Sequence, residues 1–160
     1  MRVDLASLTC QNEIANNSVL VPRRLFEIGG LYDPHVGMRR LCDWDLWLRI
    51  AFKYPVDFVD EPLASWRWRP HYAEDHHEIT LLEAYKIILN RQPELSSKLT
   101  EAQNNGVQTR LARISFSLGH LYRRKAMIPE SMEWIQRSMD HDIFTEEQRR
   151  VFEEIDSVSR

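Results

Sequence analysis

Cysteine is scarce in this 160-residue chain: Cys10 and Cys42 are the only two. So few sulfurs exclude a disulfide-stapled scaffold of the kind small secreted domains use, and a reducing, cytoplasmic setting is expected. Long apolar runs are missing as well. No segment approaches the roughly 20 residues needed to span a bilayer, and Met1-Arg2-Val3-Asp4-Leu5 lacks a signal-peptide core. Neither sign of charge dominates, since 21 Lys and Arg face 24 Asp and Glu for a formal net charge of −3. The basic pairs Arg23-Arg24, Arg39-Arg40 and Arg149-Arg150 are short and scattered. That pattern argues against nucleic acid as the main partner, because phosphate binding calls for a clustered basic surface. There is no phosphate-cradling glycine loop and no nucleophilic triad, and Gly29-Gly30 reads as a turn.

What the chain does have is a strong helical signal at its centre. Leu41, Trp44, Leu48 and Ala51 recur every three or four residues, with Trp47 and Ile50 alongside, the spacing of one buried helical face. Asp43 and Asp45 fall in its first turn, where unpaired backbone amides and the helix dipole favour carboxylates. Arg49, four residues after Asp45, gives that acid a structural partner. The same geometry lets an acid project from a rigid helix into a cleft, where it can take a proton from a hydroxyl. Tyr54-Pro55 should end the helix, because the residue before proline is pushed out of helical geometry.

Short strands are expected on either side of it, at Ser18 to Val21, Val56 to Val59 and Leu63 to Trp68. A brief helix should run from Pro22 through Phe26 to the glycine pair. Beyond Pro70 helices take over. Leu81, Leu82, Tyr85, Ile88 and Leu89 form one stripe, Leu111, Ile114, Leu118, Leu121 and Tyr122 a second, and Met132, Ile135 and Met139 a third. Thr145-Glu146-Glu147-Gln148 has the form of a capping box opening a last helix. Gln92-Pro93 marks the expected boundary between residues 1–92 and a helical tail at 93–160.

Taken in order, four blocks over residues 11 to 72 resemble the C-terminal half of the family 2 glycosyltransferase domain, a GT-A fold. They are Ser18-Val19-Leu20-Val21-Pro22, Gly29-Gly30-Leu31-Tyr32-Asp33, Cys42-Asp43-Trp44-Asp45-Leu46-Trp47-Leu48-Arg49, and Glu61-Pro62-Leu63 with Trp66-Arg67. The resemblance implies a partial GT-A α/β half with few short strands, followed by an α-helical tail, helix-dominated overall. It implies that Asp43 is the catalytic base of an inverting transfer from a nucleotide-sugar donor to a sugar or glycan acceptor. Trp44, Trp66 and Arg67 would contact the acceptor, although Trp44 has an equally good reading as a core residue. Arg69 and His71 would lie near the donor diphosphate.

The chain also departs from the family. Cys42 stands where relatives carry glutamate, and Arg69 where many carry a metal-contacting histidine. Nothing in these 160 residues matches the nucleotide-binding half with its metal-binding Asp-x-Asp motif. Asp43-Trp44-Asp45 has that spacing but opens the acceptor-side helix. The chain is therefore expected to hold no cofactor itself, the complete domain to use Mg or Mn, and the segment to be inactive alone.

In the tail, Leu118-Gly119, Tyr122, Ser131, Ile135 and Ser138 are spaced as in a tetratricopeptide helix pair, a packing element suited to a protein partner or to self-association. The competing reading of the whole chain is a non-catalytic helical interaction module. A metal-dependent hydrolase built on His71, Glu74, Asp75, His76, His77 and Glu78 is disfavoured, because adjacent histidines on a helix diverge by about 100°.

Overall fold

The computed structural model describes residues 3–33, 40–65, 74–141 and Arg150. Among them the chain forms α1 (Leu5–Cys10), α2 (Arg23–Gly29), α3 (Cys42–Lys53), α4 (Glu74–Ser96), α5 (Glu101–Arg124) and α6 (Ile128–Met139). No helix among the described residues is long and apolar enough to cross a membrane.

The helix-dominated expectation holds, but the α/β part does not: no sheet forms among the described residues. Asn16–Ser18 closes a 3₁₀ turn, Val19 is extended, and Val3 donates its N–H to the Val56 carbonyl at 2.9 Å. A strand is stable only when neighbouring strands take up its backbone groups. Among the described residues these segments build no ladder beyond a single bridge residue at Asp57. The part of the third expected strand after Ser65, and the helix expected from Thr145, lie outside the described residues.

α3 matches its predicted limits. Tyr54 is extended, and its N–H still reaches the Ile50 carbonyl at 2.8 Å before Pro55 ends the run. Trp44, Leu46, Trp47, Leu48 and Ile50 are buried and join Leu8 of α1, Leu81, Ala84, Tyr85, Ile87 and Ile88 of α4, and Val107, Leu111, Ile114 and Leu118 of α5 in one core. α2 likewise stops at its glycines. Gly30 has φ +76°, a left-handed conformation that favours glycine, and a Cβ there would sit 3.3 Å from Arg49 Nη1.

The expected boundary at Gln92-Pro93 falls inside α4, which runs through Pro93 to Ser96. Proline removes the bond to the carbonyl four residues back, that of Leu89, and Leu89 is itself exposed. Water can therefore serve that carbonyl while tertiary packing holds the helix. The real break is the turn at Ser97 to Leu99, closed by Thr100 and Gln103, whose side chains form a reciprocal capping box that starts α5.

α4 and α3 run side by side in the same direction. Glu83 reaches the amides of Arg40 and Leu41, Arg91 reaches Asp45, and Lys98 donates to the Phe52 carbonyl at 2.6 Å while lying 4.2 Å from the centre of its ring. A carboxylate thus faces the N-terminus of α3 and an ammonium its C-terminus, each complementing the helix dipole.

α5 and α6 form a close antiparallel hairpin. Ser131 Oγ donates to the Gly119 carbonyl at 2.8 Å and Ser138 Oγ to the Ala112 carbonyl at 2.9 Å, so small residues let the backbones approach. A Cβ at Gly119 would lie 2.5 Å from Ile135 Cδ1, inside contact distance. Gly119→Ala is therefore expected to destabilise the fold by about 1–2 kcal/mol despite the higher helix propensity of alanine, because overpacking costs more than propensity returns. Urea denaturation would measure this. In an Ile135→Ala background, which lacks both Cδ1 and the Cγ1 that would lie 2.6 Å away, Gly119→Ala should cost less; additive losses would contradict the contact.

Candidate functional site

The N-terminus of α3 gathers the chemistry that the sequence singles out. Leu41 precedes the helix and gives it no side-chain cap, so the first amides need partners from elsewhere. Glu83 supplies one: its Oε2 accepts from the N–H groups of both Arg40 and Leu41 at 2.9 Å, with the residue only 6% exposed. Sequence reasoning missed this capping acid. Its signal was an acid set among Leu81, Leu82, Ala84 and Tyr85 on the apolar stretch of α4.

Asp43 sits in the first turn of α3, half-buried. Its Oδ1 accepts from the backbone N–H of Trp44 at 2.7 Å and from Asn12 Nδ2 at 3.4 Å. Burial raises its pKa above the ordinary carboxylate value, and these hydrogen bonds oppose the rise without cancelling it. A carboxylate in this state binds a proton more tightly than a free aspartate, as a general base working near neutral pH requires.

Asp45, two residues on, has a different task. It is 2% exposed and bonds Arg49 Nε through Oδ2 at 3.0 Å and Arg91 Nη2 through Oδ1 at 2.7 Å. Arg49 also donates to the Leu31 carbonyl at 2.7 Å, tying the loop after α2 to α3. The structural reading of Asp45 is therefore met, with Arg91 as a second cation that sequence spacing alone could not reveal. Beside this triad is a shallow depression of about 570 Å³ lined by Leu31, Tyr32, Asp33, Arg49 and Arg91.

Of the two readings of Trp44, the structure has the core one. The residue is 2% exposed, and its indole N–H donates to the Leu8 carbonyl at 2.6 Å, binding α3 to α1. Trp66, Arg67, Arg69 and His71 lie outside the described residues. The rest of the acid and histidine cluster at 71–78 begins α4 at Glu74; within it, Glu78 pairs with Lys125, which with Tyr122 holds its carboxyl below the usual range. Tyr122 is pushed up to about 12 by burial and by Glu78. Among the described residues no group of three His, Cys, Asp or Glu side chains converges to hold a metal ion. Cys10 and Cys42 are free thiols.

A cleft of about 1140 Å³ lies between residues 13–25 and 54–64, with Trp47 and Ile50 of α3 among its lining residues. Asp43 does not line it. Comparison of the chain with protein-family models, curated proteins and solved structures returned no match.

Proposed function

We propose that this chain is the acceptor-side segment of an inverting, nucleotide-sugar-dependent glycosyltransferase, acting together with a donor-binding half that these 160 residues do not include. The observation that carries the reading is Asp43, a half-buried carboxylate of raised proton affinity at the start of a helix braced at both ends. The order of sequence blocks around it, from Ser18 to Arg67, supports the same reading. Asp43 takes the proton of the acceptor hydroxyl as that oxygen attacks the anomeric carbon. The nucleoside diphosphate leaves from the opposite face, and the configuration inverts. The family resemblance assigns Trp66 and Arg67 to acceptor binding and Arg69 and His71 to the departing diphosphate, where a cation stabilises developing negative charge. A divalent cation would supply further charge neutralisation at that phosphate and belongs to the donor half.

When the donor-binding half is supplied in the same polypeptide or in trans, Asp43→Asn is expected to lower transfer about 10²–10⁴-fold, the usual contribution of a positioned base. Nucleotide-sugar binding, measured by calorimetry, should be unchanged. The rate should fall as pH drops through the raised pKa of Asp43, and this acid limb should vanish in the variant. Folding carries the opposite sign. The native state binds this proton more tightly than the unfolded chain, so Asp43 lowers stability as pH rises from the ordinary carboxylate value to the raised one, with no further change above it. Unchanged turnover in Asp43→Asn would remove Asp43 from the mechanism and favour the non-catalytic helical module.

A further inference from the structure

Asp43 is reached from outside its own helix by Asn12, 31 residues earlier in the chain. Trp44 explains how so distant a residue arrives there: its indole N–H holds the Leu8 carbonyl, which registers the end of α1 beside the first turn of α3. The loop leaving α1 is itself clasped. One oxygen of Glu13 accepts from Ser7 Oγ at 2.5 Å and from Gln11 Nε2 at 2.9 Å, folding the loop back on α1, while Ile14 packs against the core. Asn12 is exposed yet held.

Its amide has one orientation that satisfies both neighbours. Asn12 Oδ1 accepts from the Ile14 N–H at 3.3 Å in an Asx turn, and a backbone donor there requires the oxygen on that side. The amide nitrogen is left for Asp43, where it donates to Oδ1 at 3.4 Å. The Trp44 N–H reaches that same oxygen at 2.7 Å. Both donors fall on Oδ1 and neither on Oδ2, so one oxygen of the carboxylate is held and the other is left to act. That division matters for a base, because proton transfer tolerates little misplacement and a carboxylate free to turn spends time facing away.

We propose that Asn12 is a positioning residue for Asp43, pinning Oδ1 so that Oδ2 is the oxygen presented to the acceptor hydroxyl. The hydroxyl proton passes to Oδ2, the acceptor oxygen bonds the anomeric carbon, and the nucleoside diphosphate leaves with the electron pair of the bond that breaks. The proposal rests on the sugar-transfer reading of Asp43, but the contact it uses lies wholly within this chain.

Asn12→Asp separates positioning from loop structure, because aspartate keeps the oxygen that accepts from Ile14 and replaces the donor facing Asp43 with an acid. Carboxyl-carbon NMR of the full chain, with Asp43→Asn assigning the resonance, should show the Asp43 pKa rising in Asn12→Asp and, to a smaller extent, in Asn12→Ala. With the donor-binding half supplied, Asn12→Asp should move the acid limb of the rate to higher pH. It should also lower kcat by about tenfold or more on the plateau above that limb, with the acceptor KM changed by less than about twofold. In the Asp43→Asn background the same substitution should have no further effect, since the base it holds is gone. An Asp43 titration that neither variant moves overturns the proposal, as does a pH profile and plateau rate in Asn12→Asp equal to those of the parent chain. Failure of the two readings is distinguishable: a fully active Asp43→Asn overturns the base and its positioning residue together, whereas an inactive Asp43→Asn beside a fully active Asn12→Asp overturns the positioning alone.

Discussion

Trp44→Ala is expected to destabilise the protein by about 3–5 kcal/mol, the cost of deleting a fully buried indole whose cavity the neighbours cannot close. The geometry sets that scale. Trp44 packs in the core that joins α3 to α1, α4 and α5, and its N–H satisfies the Leu8 carbonyl in buried surroundings. Trp44→Phe keeps most of the apolar volume but leaves that carbonyl without its donor, so a smaller loss of about 1–3 kcal/mol is expected. Urea denaturation followed by far-ultraviolet circular dichroism measures both. A loss below about 1 kcal/mol for the alanine variant would mean that Trp44 is not a core element. The result also bears on function, because an acceptor-pocket wall could be cut back with far less effect on folding.

Asp45→Ala should cost about 3 kcal/mol, at the lower end of the range for breaking a buried ion pair by removing one partner. The carboxylate is almost wholly buried, whereas the Arg49 and Arg91 side chains are 17% and 20% exposed, so water can recover part of the guanidinium solvation. The loss has two components: the bond from α3 to Arg91 of α4, and the Arg49 contact that holds the Leu31 carbonyl. Asp45→Asn keeps one acceptor oxygen and should cost less. A double-mutant cycle pairing Asp45→Ala with Arg91→Gln should give strong coupling; independent, additive losses would show that the two residues do not act as a pair.

The sequence made some of this legible for clear physical reasons. α3 was readable because one helix contains its whole signal: an apolar stripe, acids in the first turn and a proline just past the end. The α5–α6 hairpin was foreshadowed by Gly119, Ser131 and Ser138, small residues at positions where helices touch. Other features depend on partners far along the chain. Glu83 and Lys98 act on the ends of α3 from 42 and 46 residues away, and no local pattern encodes such a pairing. α4 runs on through Pro93, where packing of α4 against α5 outweighs the single hydrogen bond that proline removes. The expected strands had suitable composition, but a strand exists only through its neighbours, and alternation alone cannot supply them.

Within the candidate site, Asp45 is set apart from Asp43 by Arg49 one turn further on, whereas the role of Asp43 is implied by the order of the blocks around it. The structure widens that separation. Asp45 is enclosed by two guanidiniums, while Asp43 is half-buried against Asn12 and Trp44.

The bracing of α3 by α4 has a bearing on how such a chain can be inherited. Severing the sequence at residue 92 would take away Lys98 from one end of α3 and the Leu111 and Ile114 surface from its core. The helix bearing Asp43 would keep its residues but lose much of what fixes its direction. Recombination that exchanged the tail for an unrelated helical pair would therefore succeed only if the newcomer brought an equivalent cation and apolar surface. Asp43 and the hairpin are bound to travel together.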